Sequence, residues 1–173
     1  AKDSMFVNDA LLRIADCYFM QKSFNLADKY YEKSIVFNLF DLDYSLYQRT
    51  ICLGVINNQS EKLRLLKRLI SKERNSIYFD DALFDIAQYY KNSGSYDNAL
   101  LFYDSVLINS IDFDLQAKSF LSKAMVYYNI DEIDKSISQY KLVINTFQKG
   151  PYFKEALLGL QSIYVGIAIV DDE

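Results

Sequence analysis

The sequence predicts an all-α chain, an α-solenoid of antiparallel helix pairs: about four two-helix units followed by one extra C-terminal helix. Three observations carry this. Four stretches repeat one another at a spacing of 35 to 37 residues, a period that marks stacked supersecondary units rather than one closed core. Within each copy, apolar and small residues recur at steps of three and four on either side of a short polar break, as two helices with one buried face each require. Apolar residues make up 51% of the 173 residues and charged residues 24%. That is enough to fill a continuous core, and it excludes a disordered or membrane-embedded chain.

The clearest copy runs from Asp80 to Val106 as DDALFDIAQYYKNSGSYDNALLFYDSV, and its echoes begin at Asn8, Asp43 and Ala117. In the first helix of each copy, Leu11, Leu46, Leu83 and Phe120 stand four residues before a small position, held by Ala15, Thr50, Ala87 and Ala124. Tyr18, Leu53, Tyr90 and Tyr127 follow three residues later. The small residue lets a neighbouring helix approach, and the large ones fill the space beside it. The break falls at Lys22, Asn57, Gly94 and Asp131; Asn and Gly accept the left-handed conformation that ends a helix. Ser23, Ser60 and Ser95 are the candidate caps of the second helices.

The second helices carry small Ala27, Ala99 and Ser136, bulky Tyr31, Tyr103 and Tyr140, then Ser34, Val106 and Val143. The second copy departs here, with Lys62, Leu66 and Leu69 in those places. A helix of this length does not bury its stripe alone, so the pairs must stack. The spacing predicts helices over 7–21, 24–38, 43–57, 60–73, 77–92, 95–109, 113–129, 132–147 and 151–167. A longer echo supports this register: SMFVNDAL from Ser4 recurs as SIYFDDAL from Ser76 and GPYFKEAL from Gly150, two units apart each time. Pro151 suits the first turn of the last helix. The expected organisation is one domain, 1–173, with repeats at about 8–42, 43–79, 80–116 and 117–153 and a partial repeat at 154–173.

The residues offer little chemistry. The chain has no histidine, which removes Ser-His-Asp and Cys-His nucleophilic arrangements. Its five glycines form no phosphate loop. Asp80-Asp81 and Asp131-Glu132 read as acidic groups at helix starts, and Asp171-Asp172-Glu173 as an acidic group near the chain end. Asp112 and Asp114 lack the spacing of a calcium loop. Cys17 and Cys52 hold equivalent places and are expected as buried free thiols. No cofactor, metal or catalytic residue is expected. A net charge of −4 argues against nucleic acid, and the local basic run Lys62, Arg64, Lys67, Arg68, Lys72, Arg74 reads as a solvated helix face. No apolar run reaches the length of a membrane span, so direct membrane insertion is not expected. The chain starts and stops within the pattern, as an excised fragment would.

These columns resemble the tetratricopeptide repeat. The third copy matches through Leu83, Ala87, Tyr90, Gly94, Tyr96, Ala99 and Tyr103, and the first through Leu11, Ala15, Tyr18, Phe24, Ala27 and Tyr31. The fourth replaces the turn glycine with Asp131, and the family's proline near the end of each unit is missing throughout. The phrases SIYFDDALFDIAQYY and DYSLYQRTICLG are similar to long repeat proteins of Bacteroidetes-type bacteria, and in style to envelope-assembly lipoproteins and periplasmic partners of the Tol system.

The resemblance implies a right-handed solenoid whose first helices line a concave groove for a protein or peptide. Carried onto this chain, the groove positions are Leu12, Asp16 and Phe19 in the first copy, Tyr44 and Tyr47 in the second, Phe84 and Gln88 in the third, and Leu121, Met125 and Tyr128 in the fourth. Tyr47, Phe84 and Tyr128 are the preferred contacts. Leu12 and Asp16 stand where family members that grip a C-terminal carboxylate place a cation and an amide, which disfavours that mode.

The last helix offers a second surface. Leu157, Leu158, Leu160, Ile163, Tyr164, Val165, Ile167 and Ile169 are too many for one stripe. The expectation is that a following repeat covers them, or that another copy of the chain does by self-association. The function expected is a non-enzymatic protein-interaction scaffold, with the periplasm or cell envelope as the favoured setting. An architectural spacer and a regulatory repeat domain of a larger catalytic protein are the alternatives.

Overall fold

A computed structural model describes residues 2–37 and 39–171. Among these the chain forms nine helices: α1 Lys2–Met20, α2 Phe24–Phe37, α3 Leu42–Val55, α4 Gln59–Lys72, α5 Phe79–Asn92, α6 Tyr96–Asn109, α7 Phe113–Asn129, α8 Ile133–Thr146 and α9 Pro151–Asp171. Seven of the nine agree with the spacing-derived spans to within two residues at each end. Helix α1 starts five residues earlier and α9 runs four residues further than expected; neither extension contains a glycine or proline to stop it. Asp172 and Glu173 lie outside the described residues.

The contacts separate two compact units, one ending at Ile86 and the other beginning at Ala87, inside α5. In the first, α1 packs on α2, α2 on α3 and α3 on α4; in the second, α6 packs on α7, α7 on α8 and α8 on α9, with α7 also touching α9.

The four breaks inside the repeats close in one way. Lys22, Asn57, Gly94 and Asp131 all have positive φ, at 58°, 61°, 74° and 62°. In each case the next residue donates its backbone N–H to the carbonyl five residues back: Ser23 to Tyr18, Asn58 to Leu53, Ser95 to Tyr90, Glu132 to Tyr127, at 2.8–2.9 Å. A second bond joins the left-handed residue to the carbonyl three back, as from Gly94 to Lys91 at 3.1 Å. This is the Schellman closure, which satisfies carbonyls that the helix end leaves open. Lysine and aspartate hold the left-handed turn in two of the four copies, at a steric cost that glycine avoids.

The caps differ from expectation at two places. Ser60 lies inside α4, and Asn58 caps it, accepting from the Glu61 N–H at 3.4 Å; the helix begins a turn position earlier because asparagine supplies the cap first. Ser95 stands at the start of α6 without a side-chain capping bond. Asp112 caps α7, its carboxylate accepting from the N–H groups of Asp114 and Leu115 at 2.8 and 3.3 Å.

The packing columns are buried as the repeat requires. Ala15, Thr50, Ala87 and Ala124 are fully buried, as are Ala27, Ala99 and Ser136. Tyr31, Tyr103 and Tyr140 are buried beside them. The divergent second copy also packs: Leu66 and Leu69 are buried, and Lys62 runs past Gly54, where a Cβ would sit 3.6 Å from its Nζ. Gly54 stands in the column of Phe19, Lys91 and Tyr128. A large residue in the small place on α4 is therefore matched by a glycine in a large place on α3.

Buried ion pairs recur at every second repeat. Arg49 on α3 is buried and reaches back to Asp28 and Glu32 on α2 at 2.7 and 2.8 Å. Lys123 on α7, 74 residues on in the same column, is buried and binds Asp104 on α6. The same column on α5 holds buried, apolar Ile86. The 72- and 74-residue echo seen in the sequence thus reappears in how first helices are joined to the second helix before them. Cys17 departs from expectation: it is exposed, whereas Cys52 is buried. Its column faces the preceding pair, and no helix precedes α1 among the described residues.

Candidate protein-binding surface

In the first unit the surface is built from tyrosines. On α3, Tyr44 and Tyr47 lie one turn apart and so share a face. Tyr78, in the turn leading into α5, stacks on Tyr47 with ring centroids 4.7 Å apart and planes 15° apart. It also lies 6.3 Å from Tyr44, tilted by 49°. Tyr44 in turn meets Tyr31 edge-on at 6.2 Å, and such offset and edge contacts add to simple burial. The hydroxyls of Tyr31 and Tyr44 both donate to one oxygen of Asp16, at 2.6 and 2.7 Å. Asp16, expected as a groove contact, is thereby the anchor that orients two phenols. Burial first, and then the bond to Asp16, push the Tyr44 hydroxyl up to about 12. Burial raises Tyr47 and Tyr78 as well, with carboxylates adding to the shift: Asp81 and Asp85 at Tyr47, Asp43 and Asp41 at Tyr78.

Other expected positions in this unit fall differently. Leu12 is buried rather than open: it joins the cluster of Ala15, Ala27, Tyr31 and Cys52, against which Tyr44 packs. Phe19 packs edge-on against Phe24 at 5.5 Å and is only partly exposed. Phe84 is partly buried on α5, and its neighbour Asp85 is held by Lys62 at 2.8 Å.

In the second unit, Gln88 donates to the Ser122 hydroxyl at 3.1 Å. Leu121 is buried in the cluster with Tyr140, Ala156 and Leu160, and Tyr152 packs against that cluster. Met125 and Tyr128 are exposed, at 44% and 53%. With Asn129, Tyr140, Gly159, Ser162 and Ile163 they line a cavity of about 210 Å³. Gly159 is required there, because a Cβ at that position would lie 2.4 Å from the Tyr140 ring. On α9, Leu160 and Ile163 turn inward, while Leu157, Leu158, Tyr164, Val165 and Ile167 are exposed. Ile169 lies beyond the residues whose side chains are described.

Tyr78 is a contributor that the sequence reading missed. Its signal was present in the longer echo, where Phe6, Tyr78 and Tyr152 occupy one place at intervals of 72 and 74 residues. Tyr78 covers Tyr47, and Tyr152 packs on the cluster of Leu121, which stands in the Tyr47 column.

The comparisons agree with this architecture. Residues 9–35, the first helix pair, match the family model described as tetratricopeptide repeat. A crystal structure of MamA protein superposes with a TM-score of 0.77 at 17% identity, over 95% of this chain and 85% of that one. A tetratricopeptide repeat protein from Parabacteroides merdae gives 0.77 at 11% identity, over 92% of this chain and 60% of that one. YrrB, described as a tetratricopeptide-repeat protein with an unusual peptide-binding site, gives 0.65 at 17% identity, over 86% and 70%. No curated protein matches in sequence. The chain is thus a helical-repeat protein with the tetratricopeptide-repeat fold. Proteins of this class generally mediate protein–protein interaction. Among the described residues no helix is long and apolar enough to cross a membrane.

Proposed function

We propose that this chain is a non-enzymatic interaction scaffold that binds a partner protein or an extended peptide on the faces of its first helices. The observation that carries the reading is the placement of aromatic and methionine side chains. Tyr44, Tyr47, Met125 and Tyr128 stay partly or largely open on α3 and α7, although the packing columns of the same helices are filled by other residues. Aromatic residues and methionine are enriched where proteins meet. The phrases similar to envelope-assembly lipoproteins support a setting in the bacterial cell envelope. The test is partner capture by the intact chain and by a variant with Tyr47, Phe84 and Tyr128 changed to Ala. Loss of partners from the variant supports the reading; identical partner sets refute it and leave a spacer.

A second surface is favoured by a separate observation. The open side of α9 carries Leu158 at 66% and Val165 at 52% exposure, apolar area that is unfavourable to leave in water at roughly 25 cal/mol per Å². Our reading is that this side self-associates. Concentration-dependent sedimentation that Leu158→Glu abolishes would support it, and a monomer at all concentrations would refute it.

A further inference from the structure

We propose that the cavity between α7, α8 and α9 takes the side chain of a tyrosine from a bound segment, its phenol oxygen accepting a hydrogen bond from the Tyr140 hydroxyl. This rests on the reading that first-helix faces bind peptide, and adds a subsite and the side chain that fills it. Tyr140 carries the argument. It is 7% exposed, and its hydroxyl has no hydrogen-bond partner among the described residues. It also lines the cavity of about 210 Å³. Buried tyrosine hydroxyls ordinarily find a partner.

The repeat shows which partners are missing. Tyr31 in the first copy donates to Asp16 at 2.6 Å. Tyr103, 37 residues before Tyr140, lies beside Ser122, which accepts from Gln88 at 3.1 Å. The same step of 37 residues carries Gln88 to Met125 and Ser122 to Gly159. Methionine is a weak acceptor and glycine has no side chain, so both polar neighbours of this tyrosine column are lost together. The Tyr140 oxygen lies 2.9 Å from where a Gly159 Cβ would stand, and Met125 and Gly159 both line the cavity.

Volume and charge select the guest. An engineered apolar cavity of about 150 Å³ holds benzene, and a water's share of volume is about 30 Å³, so 210 Å³ accommodates a benzene ring with a hydroxyl. Met125 and Ile163 supply apolar wall, and Asn129 and Ser162 a polar edge. Burial, and then the charge of Glu155, push the Tyr140 hydroxyl up, so it stays a neutral donor. The same charge repels a carboxylate guest, and the apolar wall disfavours an ammonium.

The probes are p-cresol, which is the tyrosine side chain alone, toluene, which lacks the hydroxyl, and p-toluate, which adds a negative charge. Occupancy is read in the whole chain from the methyl resonance of Met125 in proton–carbon NMR, with the Met5 and Met20 methyls as internal references. p-Cresol should shift Met125 alone and bind about fivefold more tightly than toluene, the gain expected of one hydrogen bond. p-Toluate should shift none of them. Tyr140→Phe removes only the unpartnered hydroxyl; it should keep the urea midpoint and make p-cresol and toluene bind equally. Ser162→Phe, at an exposed position of α9, should fill the cavity and abolish both. A glycine-flanked tyrosine peptide should displace p-cresol, and its phenylalanine counterpart should do so less well. No Met125 shift with p-cresol, equal binding of toluene by the unaltered chain, or a preference for p-cresol that survives Tyr140→Phe would overturn the proposal. Because p-cresol carries no peptide backbone, that failure would leave the partner-capture result untouched. Binding of p-cresol that the tyrosine peptide does not displace would overturn the peptide source.

Discussion

Replacing Arg49 by methionine should destabilise the chain far more than the same change at Lys123, although the two residues occupy one column. Arg49 has a side chain only 8% exposed and is bound to Asp28 and Glu32, with Glu61 3.7 Å away. Methionine keeps most of the stem's volume but removes the guanidinium. Asp28, whose side chain is 16% exposed, is then left charged and almost without water. Breaking a buried pair from one side costs about 3–5 kcal/mol. Glu32 is 55% exposed and rehydrates, so its part is small. The expected loss is therefore about 3 kcal/mol.

At Lys123 the orphaned partner is Asp104, 54% exposed, and the expected loss is about 1 kcal/mol. With a urea slope of about 2 kcal/mol per molar for a chain of this size, Arg49→Met should lower the midpoint by about 1.5 M and Lys123→Met by about 0.5 M. Adding Asp28→Leu to Arg49→Met removes the stranded charge and should recover most of the loss. Equal midpoints for the two single variants, or no recovery in the double variant, would refute the argument from unequal desolvation.

Three further outcomes are expected. Lys22→Gly and Asp131→Gly should each stabilise by about 0.5–1 kcal/mol, because glycine meets no Cβ clash at positive φ, while Gly94→Ala should destabilise; urea midpoints check all three. Gly159→Ala places a Cβ against the buried Tyr140 ring and should cost about 1–3 kcal/mol, read as a fall in melting temperature. Burial pushes the Cys52 thiol up to about 11, whereas Cys17 is exposed. At pH 8 a thiol reagent should therefore label one cysteine rapidly, and Cys17→Ser should abolish that phase; equal rates at both sites would count against the packing of the Cys52 column.

The repeat made the architecture readable because its strong columns are the ones that pack. Ala15, Ala87 and Ala124 could be assigned from spacing alone, since a helix pair closes only if something small stands there. The four left-handed turns were placed for the same reason, each being the single break between two helical periods. Open-face residues carry no such constraint. Leu12 and Tyr47 stand in one column, yet Leu12 is buried in the cluster with Tyr31, against which Tyr44 packs, while Tyr47 stays partly exposed and stacks on the Tyr78 ring. Asp16 had the look of a contact residue and is an internal acceptor for two phenols. Tyr78 falls in the first turn of the helix expected over 77–92 and lies instead in the turn just before α5.

By itself, the sequence determined what depends on neighbours three and four residues away: the helices, their breaks, the buried columns and hence the fold class. Only the tertiary structure decided what depends on residues tens of positions apart. It decided that Arg49 and Lys123 bind acids on the preceding helix, that Lys62 fits because Gly54 yields, and that four tyrosines from three segments gather around Asp16 and its neighbours. Helical period is a local property of the backbone and leaves a mark at fixed spacing. Side-chain partnership across stacked pairs is set by the space each neighbour leaves, and that space exists only once the pairs have packed.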